Sequence, residues 1–234
     1  MQQLITNNNN NASYFVLLPT TLNPRYLFPL PLAVESWKNI GVQPVTIFIG
    51  KESEFLLNNQ SNDTLKFLKE QNVPVLFFEP KKLPEVSFSQ IIRLFGAVFS
   101  FFANFPPDEA VLITSDADLM VFNLFNHIPN ISEGKHLHLY NSQCCHPIEI
   151  PPKRGNYKVH MFPMGTIGAT IKAWKDIMGF NKNVFTVDEI ENYVINEFGE
   201  KFFKTDGDEI KRGSNIWFAD QSLISYKIDE WLKM

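Results

Sequence analysis

Apolar residues occur along this chain in short runs that alternate with helix-spaced stretches. "YFVLL" (Tyr14–Leu18), "PVTIFI" (Pro44–Ile49), "VPVLFF" (Val73–Phe78) and "AVLIT" (Ala110–Thr114) are compact apolar runs bounded by Pro, Gly or polar residues, a pattern that predicts buried strands. Between them, Leu32–Ile40 has amphipathic helical spacing and is followed by Gly41, suited to a helix C-cap. Glu52–Gln71 predicts a helix with a break at "NNQSND". Ser87 or Ser89 is placed to cap a long helix through Phe102, closed off by Pro106-Pro107. Strands that alternate with helices require crossover connections, so the expected fold is α/β, with a mostly parallel sheet covered on both faces.

The second half is less regular. Lys135–Asn141 alternates weakly, as a strand does, and "HMFPMGTIGAT" reads as a strand interrupted by glycines. Ile171–Met178, Val187–Phe198 and Trp217–Trp231 read as helices, while Ser142–Tyr157 and Thr205–Asn215 read as loops. The 234 residues suit one medium-sized domain, here expected over 13–234. The Asn-rich segment 1–12 cannot bury apolar surface and is expected to be a disordered tail.

Composition narrows the function classes. With 44% hydrophobic and 20% charged residues the chain reads as globular. Its net charge of −4, with no basic block, argues against nucleic acid as a partner. The longest apolar stretch, Ile91–Phe105, contains Arg93 and falls short of the roughly 20 residues of a membrane span. The start lacks the basic and apolar regions of a secretory signal, so a cytoplasmic location is expected. Cys144 and Cys145 are the only cysteines and are read as reduced thiols.

One stretch carries chemistry: "VLITSDADLMVF", in which Asp116 and Asp118 stand one residue apart where a strand ends. Ligands of open α/β sheets bind beyond the carboxyl ends of the strands. Paired hard oxygens there suit Mg²⁺ or Mn²⁺, which also cancels the repulsion between the two carboxylates. The plainer alternative is a loop with two solvated acids. "PTTLNPR" follows the first strand at the same edge.

These features together resemble the GT-A-fold nucleotide-sugar glycosyltransferases, including their small soluble virus-encoded members. The resemblance rests on "SDAD" after "PPDEAVLI", on "YFVLLPTTLNPR", on "HMFPMGTIGAT" and on "WFADQSLI", in that order. It implies a single GT-A domain with a Rossmann-like central sheet, and transfer of a sugar from a nucleoside-diphosphate sugar to a hydroxyl of a glycan or protein-linked glycan. It also implies roles for matching positions. Asp116 and Asp118 would hold Mn²⁺ or Mg²⁺, with Asp116 also facing the donor ribose. Thr20, Thr21, Arg25 and Arg93 would contact the donor. Gly165 and Trp217 would lie on the acceptor side.

The residues alone leave alternatives open. The threonines also suit ordinary turn chemistry, and Arg93 a snorkelling surface position. Asp220 is the candidate general base of an inverting reaction, or else a helix cap. Asp188 and Glu189 are second choices that would otherwise serve a helix start. No histidine begins the His-x-x-Gly-x-x-Lys pattern of many retaining relatives, which favours inversion. Two other readings compete: a sugar-nucleotide nucleotidyltransferase, weakened by the absence of glycine from "PTTLNPR", and a nucleotide-sugar-binding module without catalysis.

Overall fold

The computed structural model describes residues 13–204 and 210–234. The predicted tail and residues 205–209 of the predicted Thr205–Asn215 loop lie outside the described residues. In chain order the elements are β1 (Ser13–Thr20), α1 (Pro24–Leu27), α2 (Leu30–Asn39), β2 (Gln43–Ile49), α3 (Glu52–Leu57), α4 (Asn59–Glu70), β3 (Val75–Phe78), α5 (Glu85–Ile92) and β4 (Ala110–Ser115). Then follow β5 (Leu137–Leu139), β6 (Ile148–Glu149), β7 (Lys158–Val159), β8 (Thr166–Thr170), α6 (Ile171–Met178), α7 (Val187–Phe198) and α8 (Ala219–Leu232).

The central sheet has six strands in the order β3-β2-β1-β4-β8-β5. The first four are parallel, whereas β8 runs antiparallel to both β4 and β5. β4 is therefore a seam, with a parallel neighbour on one edge and an antiparallel one on the other. Alternation along the strands divides the core into two layers, because successive side chains point to opposite faces. Phe15, Leu17, Val45, Ile47 and Leu112 join one apolar cluster with α5, α6, α7 and α8. Val16, Leu18, Phe48, Val111 and Ile113 join the other with α2 and α4.

Local chemistry explains where several elements start and stop. The break inside the predicted Glu52–Gln71 helix falls at Asn58, whose side chain accepts from the Ser61 backbone N–H at 3.1 Å and starts α4. Neither Ser87 nor Ser89 caps α5. The N-cap position falls on Pro84, which makes no side-chain capping hydrogen bond. Ser87 is buried inside the helix instead.

The predicted long helix through Phe102 is also divided. It is α-helical to Ile92 and winds more tightly, as 3₁₀ turns, over Arg93–Val98 and Ser100–Phe102. Within the tighter part, a Cβ on Gly96 would lie 2.4 Å from Leu17 Cδ1, so only glycine allows the segment this close to β1. Among the described residues, the run Glu85–Phe102 is long and apolar enough to cross a bilayer, but 67% of it is buried within the protein. It packs against β1, β2 and α8.

Cys144 and Cys145 are not the free thiols the sequence suggested. They are joined in a disulfide between consecutive residues.

Candidate active site

The carboxyl ends of β1 and β4 open onto a cavity of about 750 Å³, whose wall is completed by α5, the Pro163–Gly165 segment and the start of α8. That volume lies in the range of small-molecule and cofactor sites. All nine predicted site residues, Thr20, Thr21, Arg25, Arg93, Asp116, Asp118, Gly165, Trp217 and Asp220, line it.

At the β1 end the hydroxyls are engaged locally. Thr20 Oγ1 donates to the Thr21 carbonyl at 3.1 Å, and Thr21 Oγ1 accepts from the Asn23 N–H at 3.2 Å. Asn23 in turn caps α1 by accepting from the Arg25 N–H at 3.0 Å. This is the turn chemistry the sequence left open, and it rigidifies the loop that presents the exposed Arg25 to the cavity.

At the centre is Arg93, 5% exposed. Its Nε donates to the Gln90 carbonyl at 3.1 Å, Nη1 to Asp116 Oδ1 at 2.5 Å and Nη2 to Asp220 Oδ2 at 2.7 Å. It is not a snorkelling surface residue. Burial works against its charge, but the Asp116 and Asp220 carboxylates outweigh that and raise the guanidinium pKa above its ordinary value. Asp220 is 2% exposed, and its other oxygen accepts from the Gln221 N–H at 2.8 Å. Burial raises the Asp220 carboxyl above the usual carboxylate range despite the pull of Arg93. Phe218, not Asp220, is the α8 cap residue, so Asp220 sits in the first turn, where an acid complements the helix dipole.

Asp118 is exposed on the cavity side of the β4 terminus. Lost hydration, followed by the charge of Asp116, pushes its carboxyl above the ordinary value, against a weaker pull from Arg93 and Arg212. Arg25 and Arg212 line the same cavity, but Arg93 is the arginine hydrogen-bonded to the carboxylates. Among the described residues, no three His, Cys, Asp or Glu side chains form a ready-made metal cage. Two carboxylates are nevertheless a sufficient protein share for a cation that completes its shell with water and phosphate. The donor set thus fits Mg²⁺ or Mn²⁺.

The second-choice bases serve structure. Glu189 completes a capping box with Thr186, and Asp188 pairs with Lys82 at 2.5 Å. Neither lines the cavity. Gly168 meets neighbouring backbone, since a Cβ there would lie 2.1 Å from the His127 carbonyl oxygen, whereas a Cβ on Gly165 would have nothing within 4 Å. His160 is exposed, and its Nε2 lies 2.5 Å from the Ser142 carbonyl oxygen.

Asn23, Tyr26, Ser89, Gln90, Arg212 and Gln221 also line the cavity and were not singled out from the sequence. Gln90 had a usable signal in its position one helical turn before Arg93. Gln221 had another in its adjacency to Asp220. The rest are ordinary polar residues brought in by the fold.

Neither a family model nor a curated protein matches the sequence. In three dimensions the chain is similar to solved glycosyltransferases. The apo structure of the bifunctional glycosyltransferase WbbM is 13% identical, with a TM-score of 0.37 over 80% of this chain and 38% of that one. The chain thus spans little more than a third of that protein. The galactosyltransferase LgtC, solved with donor and acceptor sugar analogues, is 11% identical, with a TM-score of 0.39 over 88% of this chain and 70% of that one. Apo GlyE from Streptococcus pneumoniae TIGR4 is 11% identical, with a TM-score of 0.34 over 95% of this chain and 63% of that one.

Proposed function

We propose that this chain is a metal-dependent glycosyltransferase that moves a sugar from a nucleoside-diphosphate sugar to an acceptor hydroxyl on a glycan or protein-linked glycan. The observation that carries the reading is the Asp116–Asp118 pair, set side by side at the carboxyl end of β4 in the wall of a large cavity. Asp116 and Asp118 would hold Mn²⁺ or Mg²⁺. When bound, such a cation supplies Lewis-acid stabilisation of the departing diphosphate.

The β1 loop, with Thr20, Thr21 and Arg25, accounts for the nucleotide end of the donor. A guanidinium there matches phosphate geometry. The Pro163–Gly165 segment and Trp217 form the opposite wall, where an aromatic face suits the C–H face of a sugar. Gly165 leaves that wall open to an acceptor. Asp220 is held by Arg93 at 2.7 Å and is almost wholly buried. It lines the cavity, and each of its oxygens accepts one hydrogen bond, from Arg93 or from the Gln221 N–H, which leaves lone pairs of the kind a general base uses. Inversion with Asp220 as general base is the finer reading, supported by the absence of a His-x-x-Gly-x-x-Lys pattern; in the competing one Asp220 only positions Arg93. The nucleotidyltransferase reading gains nothing from a β1 loop without glycine.

The test is a thermal-stability panel of UDP, GDP and dTDP, each with and without Mn²⁺, followed by hydrolysis or transfer assays with the matching nucleotide sugars. One nucleotide should raise Tm only in the presence of the cation. At about 100 times Kd the linkage is roughly 2.7 kcal/mol, a shift of about 5–10 °C for a chain of this size. Absence of any cation-dependent shift overturns the proposal. A shift without turnover of any nucleotide sugar leaves the binding module.

A further inference from the structure

Arg93 divides its guanidinium between two carboxylates that come from distant parts of the chain, Asp116 at the end of β4 and Asp220 in the first turn of α8. Its own backbone is fixed where α5 gives way to 3₁₀ turns, and its Nε is tied to the Gln90 carbonyl one turn back. The Asp116 side chain is 48% exposed, and among the described residues Arg93 is the only side chain that donates to it. Its carboxylate would otherwise rotate freely into the cavity. Both Asp220 oxygens are engaged by the protein, one by Arg93 Nη2 and the other by the Gln221 N–H.

On this basis, and resting on the function proposed above, we propose that Arg93 is the positioning residue of the cation site, and that Asp220 acts through Arg93. Arg93 holds Asp116 in the orientation that receives the cation–diphosphate complex. Asp220 locks the far side of the guanidinium so that its planar fork cannot turn. Arginine is required for this because a fork presents separate N–H groups to two acceptors, whereas a lysine ammonium is a single compact charge.

The experiment titrates wild type, Arg93→Met, Arg93→Lys, Asp220→Asn and the double variant Arg93→Met/Asp220→Asn with UDP, GDP and dTDP by calorimetry, with and without Mn²⁺. The double variant removes both buried charges, so it keeps the test valid if a lone buried charge unfolds a single variant. Circular dichroism and Tm check the fold of each. For the nucleotide that wild type binds, Arg93→Met should weaken Mn²⁺-dependent affinity about ten- to a hundredfold, the range for partners that orient a metal ligand. Metal-free affinity should change by less than about twofold.

Asp220→Asn should show part of the same loss, the double variant should lose no more than Arg93→Met, and Arg93→Lys should not restore binding. Three results would overturn the inference. In the first, Asp220→Asn keeps full Mn²⁺-dependent affinity and loses only transfer, as a base would. In the second, the two single losses multiply in the double variant. In the third, affinity falls equally with and without Mn²⁺, as a merely structural role predicts. Failure of wild type to bind any of the nucleotides with Mn²⁺ refutes the proposed function itself, and the inference falls with it.

Discussion

Two ion-pair clusters in this protein each centre on one buried charged side chain shared by two partners, and the sign of that centre is opposite. Glu197, 2% exposed, is shared by two cations. It accepts from Arg154 Nε at 2.5 Å, Arg154 Nη2 at 2.8 Å and Lys227 Nζ at 2.6 Å. Burial raises its carboxyl, but the Arg154 and Lys227 contacts win and hold it below the ordinary value. At the cavity the ratio is inverted, with one arginine serving two carboxylates while a third, Asp118, stands beside them with its pKa raised. A cluster whose charge is closed by its own chain is a brace that ties α7, α8 and the Pro152–Arg154 turn together. A cluster whose carboxylates outnumber the guanidinium hydrogen-bonded to them, at the mouth of a cavity, suits the cation proposed above.

This contrast can be broken experimentally. Asp118→Ala should have the largest effect on ligand binding and almost none on the fold. We expect Mn²⁺-dependent nucleotide affinity to fall by at least about a hundredfold, since a ligand should matter no less than the residues that orient it. Stability should change by less than about 0.5 kcal/mol, as is usual for an exposed side chain. Calorimetry and urea unfolding measure the two quantities on one preparation. Comparable loss of both would erase the distinction between the clusters.

Glu197→Ala should do the reverse. Removing one member of a buried ion cluster costs about 3 kcal/mol, readable as a lower urea midpoint, while nucleotide affinity stays within about twofold. The pH dependence has a definite sign. A carboxyl held below its unfolded value adds stability above that unfolded value and loses it as pH falls through the folded one. Wild type should therefore lose stability on acidification below about pH 4, the ordinary Glu range, more steeply than the variant. Equal slopes would remove Glu197 from the acid limb.

The smallest effect is expected at Gly165→Ala. Its added Cβ meets no atom within 4 Å, so Tm should not move by more than about 2 °C, whereas Gly165→Trp should raise the acceptor KM by narrowing the cavity. An unchanged KM in the tryptophan variant would take Gly165 off the acceptor side.

Much of this architecture was legible in the chain because it depends on local periodicity. Ile171–Met178 and Val187–Phe198 occur with the bounds their apolar spacing predicts, and all four strands of the parallel half lie where short apolar runs occur. The antiparallel arrangement of β8 and β5 was not readable, since pairing direction is set by long-range packing. The Asp-x-Asp edge was visible because two repelling acids at a strand terminus are an unusual choice. The partner of Asp220 was hidden, because 127 residues separate it from Arg93, and spacing along a sequence says nothing about which arginine reaches across a cavity. Arg212 was missed for the same reason, since a polar residue with no local signal gains a role only when the fold gathers it.

The seam at β4 has a practical meaning for changing this protein. Strand pairs on one side of it come from the first 115 residues, and those on the other side come from later segments. The cavity is assembled from both, with the Thr20–Tyr26 wall on one side and the Pro163–Gly165 and Trp217–Gln221 walls on the other. A library confined to the later walls can be screened for altered preference among receiving molecules while the earlier half stays constant. Arg93 and Asp220 are the one pair that such a graft must carry across unchanged.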